Sequence, residues 1–453
     1  MLYHILRLIT ILATRIFFKS LKVKNKQNAP KNGALIVISN HPNTFMDPML
    51  IASQLSSPLY FLANASIFVS PFTKWLFTKL HMIPIQRKHD TNKEKFDNKQ
   101  IFQRCYDHLK NQKAILIFPE GTSIRERRLQ ELKTGTARIA LGAEAQNNFE
   151  LGTKILSVGL NYSQPESFRS EVFINFDEVI IVKDYQKLYE ENPENAIKKL
   201  TEDMRKRLET HTIHTYSADE DYLAIQIDKV YGEQLNEDIE LSKTESEQEY
   251  LMNKGIIEAI RYFNEKQPER VNNFRKKIER YVNNLERLDL QDEIFKNRKK
   301  NKKSLFGSSL KDLLFFFFTF PIFFWGWLNN FIPYWFPQRV AKSIVKWSEM
   351  EEYTAPVMML TGTIIFPFFY CLKSFIVYWF FGYQIALIYF LSLAPAGFFA
   401  LYYKTKWQVQ RKKWRLWAIF AKRANLVAEL LSQRKEIIKE LETAKKEYFS
   451  TPS

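Results

Sequence analysis

Short apolar runs, separated by longer segments of mixed polarity, characterise the first part of the chain. Six of these runs are ALIVIS (34–39), PLYFLAN (58–64), MIPI (82–85), AILIF (114–118), KILSVGL (154–160) and EVFINF (171–176). Runs of this length, bounded by turn residues, are typical of buried strands. Segments between them, including FDNKQIFQRCYDHLKN and the run after Lys133, have the apolar spacing of helices. The pattern predicts an α/β fold over residues 26–215, with a mixed, mostly parallel sheet flanked by helices.

A charged segment with helical periodicity follows at residues 216–303. Its stretch PERVNNFRKKIERYVNNLERL places apolar residues three and four apart, as an amphipathic helix does. The pattern predicts a helical region and does not indicate its role. The segment ends in the basic run KNRKKNKK (296–303), for which an exposed linker and a membrane-surface contact are both open interpretations.

Long apolar segments dominate residues 304–405. They lie at about 313–336, 355–377 and 381–403, and each is long enough to cross or enter a bilayer. Basic residues flank the region on both sides, so the positive-inside tendency places both flanks on the cytoplasmic face. An even number of crossings follows. We expect a membrane hairpin at 355–403, with 313–336 re-entrant or lying in the plane of the interface.

The two ends of the chain are predicted to be amphipathic helices. Residues 1–25 carry an apolar stripe interrupted by Arg7 and Arg15, which suits a helix in the head-group layer better than a spanning segment. An ordinary core helix, with the arginines on its polar face, is the alternative. Residues 406–453 begin with basic and aromatic residues and continue with helical periodicity, which predicts a basic amphipathic helix at the membrane surface.

Net charge narrows the class of partner. The chain has a formal net charge of +17, which attracts nucleic acid or anionic lipid. Its aromatic residues cluster in the apolar C-terminal runs rather than among basic residues, so an anionic membrane is favoured over nucleic acid. The two cysteines, Cys105 and Cys371, offer neither a disulfide framework nor a metal quartet, which indicates a reducing compartment or a membrane interior.

A histidine and an aspartate follow the first predicted strand, in the stretch NHPNTFMDP (40–48). His41 can take a proton near neutral pH, and Asp47 can fix its tautomer and stabilise its cation. A helix-capping role for Asp47 is the alternative, because Asp-Pro is common where helices begin. Three further blocks end or follow apolar runs: HMIPIQR (81–87), FPEGTS (118–123) and ILSVGLNY (155–162). Because ligands collect at the carboxyl ends of strands, we expect these blocks to converge at one edge of the sheet.

The second and third blocks carry groups that suit an anionic substrate. Arg87 offers a fork of donors that matches phosphate. Glu120 is expected to shape the site through hydrogen bonds, and Gly121 to supply the backbone geometry of a tight turn. Thr122 and Ser123 offer hydroxyls to a phosphate or a developing oxyanion, or they cap a following helix.

The basic run RERR (125–128) after the turn has two interpretations. It could contact lipid phosphates or the nucleotide of an acyl donor. More often, such a run is a solvated face of the domain.

Taken in order, NHPNTFMDP, MIPIQR, FPEGTS and VGLNY resemble the four motif blocks of the glycerolipid acyltransferases. That family includes the glycerol-3-phosphate and 1-acylglycerol-3-phosphate (lysophosphatidate) enzymes, and the resemblance covers roughly residues 1–215. It implies acyl-CoA or acyl-ACP as donor, no metal or other cofactor, and His41 with Asp47 as the catalytic pair. It also implies that Arg87 and the turn at 120–123 bind the acceptor's phosphate. Lys133 resembles a family position near the acceptor site.

Three positions depart from the usual family pattern. The family's first block usually has four residues between histidine and aspartate, whereas five residues, 42–46, lie between His41 and Asp47. The turn must therefore absorb one extra residue. His81 stands where the family often has glycine, and Ser157 stands where it often has proline. Neither of these two positions is expected to carry out proton chemistry.

Together these features predict a membrane-bound acyltransferase of phospholipid biosynthesis, with its catalytic domain on the cytoplasmic face. It would move a fatty acyl group from acyl-CoA or acyl-ACP to a hydroxyl of lysophosphatidate or glycerol 3-phosphate. A non-catalytic lipid-binding or scaffold protein that retains the fold is the alternative, and loss of His41, Glu120 or Arg87 would be its signature. A membrane-tethered nucleic-acid binder would need basic and aromatic residues interleaved on a soluble platform.

Overall fold

The computed structural model describes residues 2–68, 70–85, 98–236, 245–292, 295, 302–422 and 424–450. Contacts between residues divide the chain into two compact units. The first unit comprises Met1–His214 and Val340–Leu360, and the second comprises Thr215–Arg339 and Thr361–Ser453. The predicted boundaries between the catalytic, helical and membrane regions stay predictions.

A seven-stranded sheet forms the centre of the first unit. Its strands are β1 (Ser20–Lys24), β2 (Leu35–Ser39), β3 (Leu59–Asn64), β4 (Met82–Ile85), β5 (Ala114–Ile117), β6 (Lys154–Tyr162) and β7 (Glu171–Ile181). They lie in the order β1-β7-β6-β2-β5-β3-β4. The β6–β7 pair is antiparallel and the other neighbouring pairs are parallel. The predicted fold class, a mixed and mostly parallel sheet flanked by helices, is confirmed.

Helices cover both faces of this sheet. They are α1 (Leu2–Phe17), α2 (Met46–Gln54), α3 (Pro71–Lys79), α4 (Asn98–Lys110), α5 (Gly135–Gln146), α6 (Gln186–Glu191) and α7 (Pro193–His211). Successive residues of a strand point to opposite faces, so Ile36 and Ile38 of β2 pack with α4, α5 and α7. Leu35 and Val37 point the other way and pack with α1, α2 and residues 355–359. The continuous apolar runs in the sequence follow from this burial on both faces.

The N-terminal helix is shorter than the predicted span of residues 1–25. It ends at Phe17, and residues 20–24 form strand β1, which pairs with β7 at the edge of the sheet. SLKVK alternates polar and apolar residues, and Leu21 and Val23 pack against the core. Period-two alternation in a short segment is the pattern of a strand rather than of a helix.

Helix α1 turns Arg7 inward and part of its apolar side outward, while Arg15 is exposed. The Arg7 guanidinium donates to the carbonyl oxygens of Ala52 and Leu55, at the end of α2. Ile5, Leu8, Ile9, Leu12 and Ile16 are exposed. Their spacing of three and four residues puts them on one face of the helix. An ordinary core helix buries such a face, so the core-helix alternative does not describe α1.

Six helices make up most of the described part of the second unit and the segment that joins it to the first. They span Ala218–Asn236, Glu245–Lys266, Pro268–Arg287, Lys302–Ser348, Thr354–Lys422 and Ala424–Ser450. The helix Thr354–Lys422 is interrupted at Gly382, whose φ is 80° and ψ 175°. Its two halves pack side by side, since the rings of Tyr370 and Phe390 lie 6.3 Å apart. The two segments therefore form a helical hairpin, and its insertion in a membrane stays a prediction.

Two stretches of the described residues, Lys311–Ser348 and Glu351–Arg415, are long and apolar enough to cross a membrane. A small polar cluster joins the helices within them. Asn330 accepts from the Tyr370 hydroxyl at 2.5 Å and donates to the Leu393 carbonyl oxygen at 3.1 Å. Hydrogen bonds of this kind connect helices whose outer surfaces are apolar.

Candidate active site

Three of the four sequence blocks meet at one edge of the sheet. Strand β2 lies between β5 and β6. Residues 40–47 follow β2, residues 118–123 follow β5, and the fourth block forms β6 itself. The residues after parallel strands therefore come together here, as expected for open α/β sheets. The second block's Arg87 lies outside the described residues.

His41 and Asp47 form a hydrogen-bonded pair. The Nδ1 atom of His41 lies 2.8 Å from Oδ2 of Asp47. The Asp47 carboxylate is completely buried, whereas 18% of the His41 side chain is exposed. The His41 ring stacks on Phe118, with ring centroids 3.8 Å apart. The carboxylate and the phenyl ring together fix the orientation of the imidazole.

Two further donors satisfy the buried Asp47 carboxylate. The backbone N–H of Asn43 donates to Oδ2 at 2.7 Å, and the Tyr162 hydroxyl donates to Oδ1 at 2.5 Å. Burial and the neighbouring carboxylate raise the pKa of Tyr162 well above its ordinary value, so the phenol stays protonated and keeps donating. Helix α2 begins at Met46, and the carboxylate bonds to groups before the helix or outside it. The helix-capping alternative for Asp47 is therefore wrong.

Glu120 joins two loops of the site. Its Oε1 accepts from the backbone N–H of His41 at 2.9 Å, and its Oε2 accepts from that of Gln130 at 2.8 Å. Glu120 is buried, with 7% of the residue exposed. Burial raises the pKa of Glu120, and the two backbone hydrogen bonds oppose that rise. Glu120 thus shapes the site through hydrogen bonds.

Ser123 connects the turn at 120–123 to the loop that carries His41. Its hydroxyl donates to the His41 carbonyl oxygen at 2.9 Å and accepts from the Thr44 backbone N–H at 3.0 Å. Thr122 beside it is half-buried. The next helix begins at Gly135, twelve residues further along the chain. Helix capping by Thr122 or Ser123 is therefore wrong.

Lys133 approaches the same turn from the other side. Its backbone N–H donates to the Pro119 carbonyl oxygen at 2.8 Å. Its Cγ atom would lie 3.6 Å from a β-carbon placed on Gly121. The side chain is exposed, so its ammonium group is accessible to an anion. Lys133 thus lies against the turn at Gly121, and its role in binding an acceptor stays a prediction.

The basic run 125–128 makes ion pairs within the protein. Arg125 lies between two carboxylates, at 2.7 Å from Glu166 and 2.9 Å from Glu351. Arg128 pairs with Glu126 at 2.9 Å. The Arg128–Glu126 pair is nearly half exposed, as on a solvated face, whereas Arg125 is held by two carboxylates.

Three contributors to the site are absent from the sequence-based prediction. The Tyr162 hydroxyl donates to Oδ1 of Asp47. Asn40 fixes the start of the loop, since its amide exchanges two hydrogen bonds with the backbone of Leu160, at 2.8 and 2.9 Å. Asn43 donates from its backbone to Asp47 and from its side chain to the Pro165 carbonyl oxygen at 2.7 Å. All three residues stand in the quoted motif blocks, which was the available signal.

The pair has the geometry of a general base. When the Nδ1–H group donates to Asp47, the lone pair on Nε2 is left for a substrate proton. Within the part of the chain that the structure describes, no residue donates to this Nε2 atom. The described residues also contain no group of three or more histidine, cysteine or acidic side chains placed to hold a metal ion.

We predict that Gly121→Ala destabilises the protein by about 1–2 kcal/mol, because a left-handed backbone carries roughly that penalty for other residues. The φ of Gly121 is 69°, and a β-carbon would meet no prohibitive contact, so backbone strain dominates. Gly135→Ala is the matched control, since it lies at the start of α5 with open space around it. Thermal unfolding should show a lower melting temperature for Gly121→Ala only. Equal changes in both variants would contradict the strain argument.

Comparison with known proteins identifies the family of this domain. A family model described as "Acyltransferase" matches residues 20–161. "Glycerol-3-phosphate O-acyltransferase 2" of Saccharomyces cerevisiae is 35% identical over 108 residues, which are 24% of this chain and 14% of the relative. "Glycerol-3-phosphate O-acyltransferase 1" of the same yeast is 29% identical over 212 residues, 46% of this chain and 27% of the relative.

A bacterial relative is covered more completely. The "1-acyl-sn-glycerol-3-phosphate acyltransferase" of Borreliella burgdorferi is 26% identical over 193 residues, 42% of this chain and 71% of the relative. The chain spans only 14% and 27% of the length of the two yeast relatives. The family-model match lies in the part of the chain that carries the motif blocks. Residues 20–161 therefore match an acyltransferase domain, and parts of the chain are similar to glycerol-3-phosphate and 1-acyl-sn-glycerol-3-phosphate acyltransferases.

Proposed function

We propose that this protein transfers a fatty acyl group from a thioester donor to a hydroxyl of a glycerol-phosphate acceptor. The observation that carries the proposal is the His41–Asp47 pair, with its carboxylate buried and its imidazole partly exposed. No serine or cysteine nucleophile is recognised beside His41 in the sequence. The acceptor's own hydroxyl is therefore the nucleophile that the base would activate.

The proposed reaction proceeds by direct attack. Nε2 of His41 removes the proton from the acceptor hydroxyl as its oxygen bonds to the thioester carbonyl carbon. Asp47 stabilises the imidazolium that forms. The tetrahedral intermediate then collapses, the C–S bond breaks, and the departing thiolate takes the proton from the imidazolium. The products are an ester and a free thiol, and His41 returns to its starting state.

We propose lysophosphatidate or glycerol 3-phosphate as the acceptor, and acyl-CoA or acyl-ACP as the donor. The similarity to glycerol-3-phosphate acyltransferases and to a 1-acyl-sn-glycerol-3-phosphate acyltransferase supports both acceptors. The bacterial relative, of which the chain covers 71%, favours lysophosphatidate or a broad specificity. Arg87, the turn at 120–123 and Lys133 are proposed to bind the acceptor's phosphate. The resemblance implies no metal or other cofactor.

An assay of the purified full-length protein tests the proposed function. Each acceptor is supplied with palmitoyl-CoA, and release of thiol is compared with formation of the acylated lipid. We expect acyl transfer to at least one acceptor, at a rate that falls in His41→Ala. Lipid binding without transfer, with either CoA or ACP donors, would support the scaffold alternative and overturn the enzyme assignment.

We propose that the protein works at a membrane surface, with its catalytic unit on the cytoplasmic face. The exposed apolar face of α1 and the two long apolar helices support membrane binding. Residues 340–360 belong to the same compact unit as the motif blocks, which supports the proposal that this segment and the catalytic unit share one side of the bilayer. Tags at residues 300 and 410 should both be modified from the cytoplasmic side only. Labelling from opposite sides would contradict the even number of crossings.

A further inference from the structure

The segment that leads into the apolar hairpin, including its first residues, lies against the loop that carries His41 and Asp47. We call residues 351–359 the strap. The Thr44 hydroxyl donates to the Glu352 carbonyl oxygen at 3.2 Å. The ring of Tyr353 lies 6.2 Å from that of Phe45. Two consecutive residues of the catalytic loop therefore contact two consecutive residues of the strap.

The strap is anchored on both sides of these contacts. On one side, the Glu351 carboxylate pairs with Arg125 at 2.9 Å. On the other, Ala355 is 0% and Met359 4% exposed, and both belong to the buried cluster that includes Met46 and Leu50 of α2. An ion pair that is partly exposed contributes little on its own. Burial of the two apolar side chains is the stronger anchor.

The catalytic loop needs such support because it contains one residue more than the family usually has between histidine and aspartate. The structure places a left-handed residue in this stretch, since the φ of Thr44 is 35°. A β-branched residue adopts that backbone only when its surroundings hold it there. The backbone N–H of Thr44 is held by Ser123 and its side chain by the strap. Both hydrogen bonds fix the same strained residue, three positions before Asp47.

We propose that the strap is a positioning element for the catalytic pair, acting through Thr44. It holds the five-residue turn in the conformation that keeps the Asp47 carboxylate on His41. Thr44, Glu352 and Tyr353 are positioning residues and do not touch the reacting atoms. The effect on catalysis rests on the proposed function, whereas the effect on loop order does not.

Two substitutions of Thr44 distinguish the effect of its hydroxyl on kcat from the effect of its side-chain shape. Thr44→Val keeps the branched shape and the backbone preference but removes the bond to Glu352. We expect kcat to fall about fivefold, the factor that corresponds to about 1 kcal/mol for one net hydrogen bond, with both KM values unchanged. Thr44→Ser keeps the hydroxyl and should restore most of kcat. Equal kcat in the valine, serine and wild-type proteins would overturn the proposal.

Hydrogen exchange of the backbone amides tests the strap without any reliance on acyl transfer. A peptide covering residues 40–50 contains the Asn43 and Thr44 amides that bond to Asp47 and Ser123. We expect exchange in this peptide to be severalfold faster in Thr44→Val and modestly faster in Glu351→Gln. Glu349→Gln is the matched control, because no ion pair of Glu349 is found among the described residues. Unchanged exchange in Thr44→Val would overturn the positioning role of the strap, even if the protein had no acyltransferase activity. Inactivity of the wild-type protein would instead overturn only the proposed function.

Discussion

Replacement of His41 by alanine is expected to lower kcat by about 10²–10⁴-fold, the contribution that a positioned general base makes to a rate. The imidazole is the proposed acceptor of the substrate proton, and the only described groups that hold it are Asp47 and the face of Phe118. Alanine cannot replace it in either protonation state. The KM values should change little, because the phosphate-binding groups proposed here lie on other loops.

His108→Ala provides the comparison for this variant. His108 lies in the last turn of α4, where its ring approaches Tyr60 at 4.1 Å rather than any residue of the site. Its loss should leave kcat within about threefold of the wild-type value, as expected for a change away from the reacting groups. Initial rates with saturating donor and acceptor, together with melting temperatures, check both variants. A His41→Ala protein that retained wild-type turnover would rule out the proposed base.

Much of the sheet could be predicted because it is buried on both faces. Six strands coincide with apolar runs in the sequence, and strands such as β2 and β5 contribute to the buried clusters on both faces of the sheet. Strand β1 escapes such a prediction because its five residues contain only two apolar ones. Its pairing with β7 joins residues about 150 positions apart, which local pattern does not encode.

The site was predictable where its chemistry is local. His41 and Asp47 are six residues apart, and Glu120, Gly121 and Ser123 belong to one turn. Tyr162 reaches Asp47 from 115 residues away, and Glu352 reaches Thr44 from 308 residues away. Those contacts depend on the order of the strands and on the return of the chain to the first unit. Neither is visible in the spacing of motifs.

Periodicity alone also does not determine which side of helix α1 faces the rest of the domain. The sequence of α1 shows an apolar stripe and two arginines, and a core helix would place the stripe inward. In the structure Arg7 lies inward instead, because the end of α2 presents two carbonyl oxygens that its guanidinium can satisfy. The stripe is left exposed, and this supports the proposed contact with a bilayer surface.

Asp47→Asn is expected to lower kcat by at least about 10²-fold while the protein remains folded. One oxygen of Asp47 faces two donors, the His41 ring and the Asn43 backbone, and the other faces the Tyr162 hydroxyl. An asparagine can point its oxygen at the two donors and its amide nitrogen at Tyr162, whose hydroxyl can rotate to accept. The fold therefore tolerates the change. The negative charge that stabilises the imidazolium is lost, so the transition state suffers more than the ground state.

Tyr162→Phe distinguishes the charge of Asp47 from its orientation. The phenylalanine removes one hydrogen bond to the carboxylate and leaves its charge and its bond to His41 in place. We expect about a fivefold loss of kcat, the effect of about one net hydrogen bond, which is at least twentyfold smaller than the loss in Asp47→Asn. Melting temperatures and initial rates of both variants provide the comparison. Equal losses in the two variants would mean that Asp47 acts only by fixing the loop, and would contradict the proposed stabilisation of the imidazolium. A carboxylate that acts through its charge must contribute more to kcat than one of the three hydrogen bonds that it accepts.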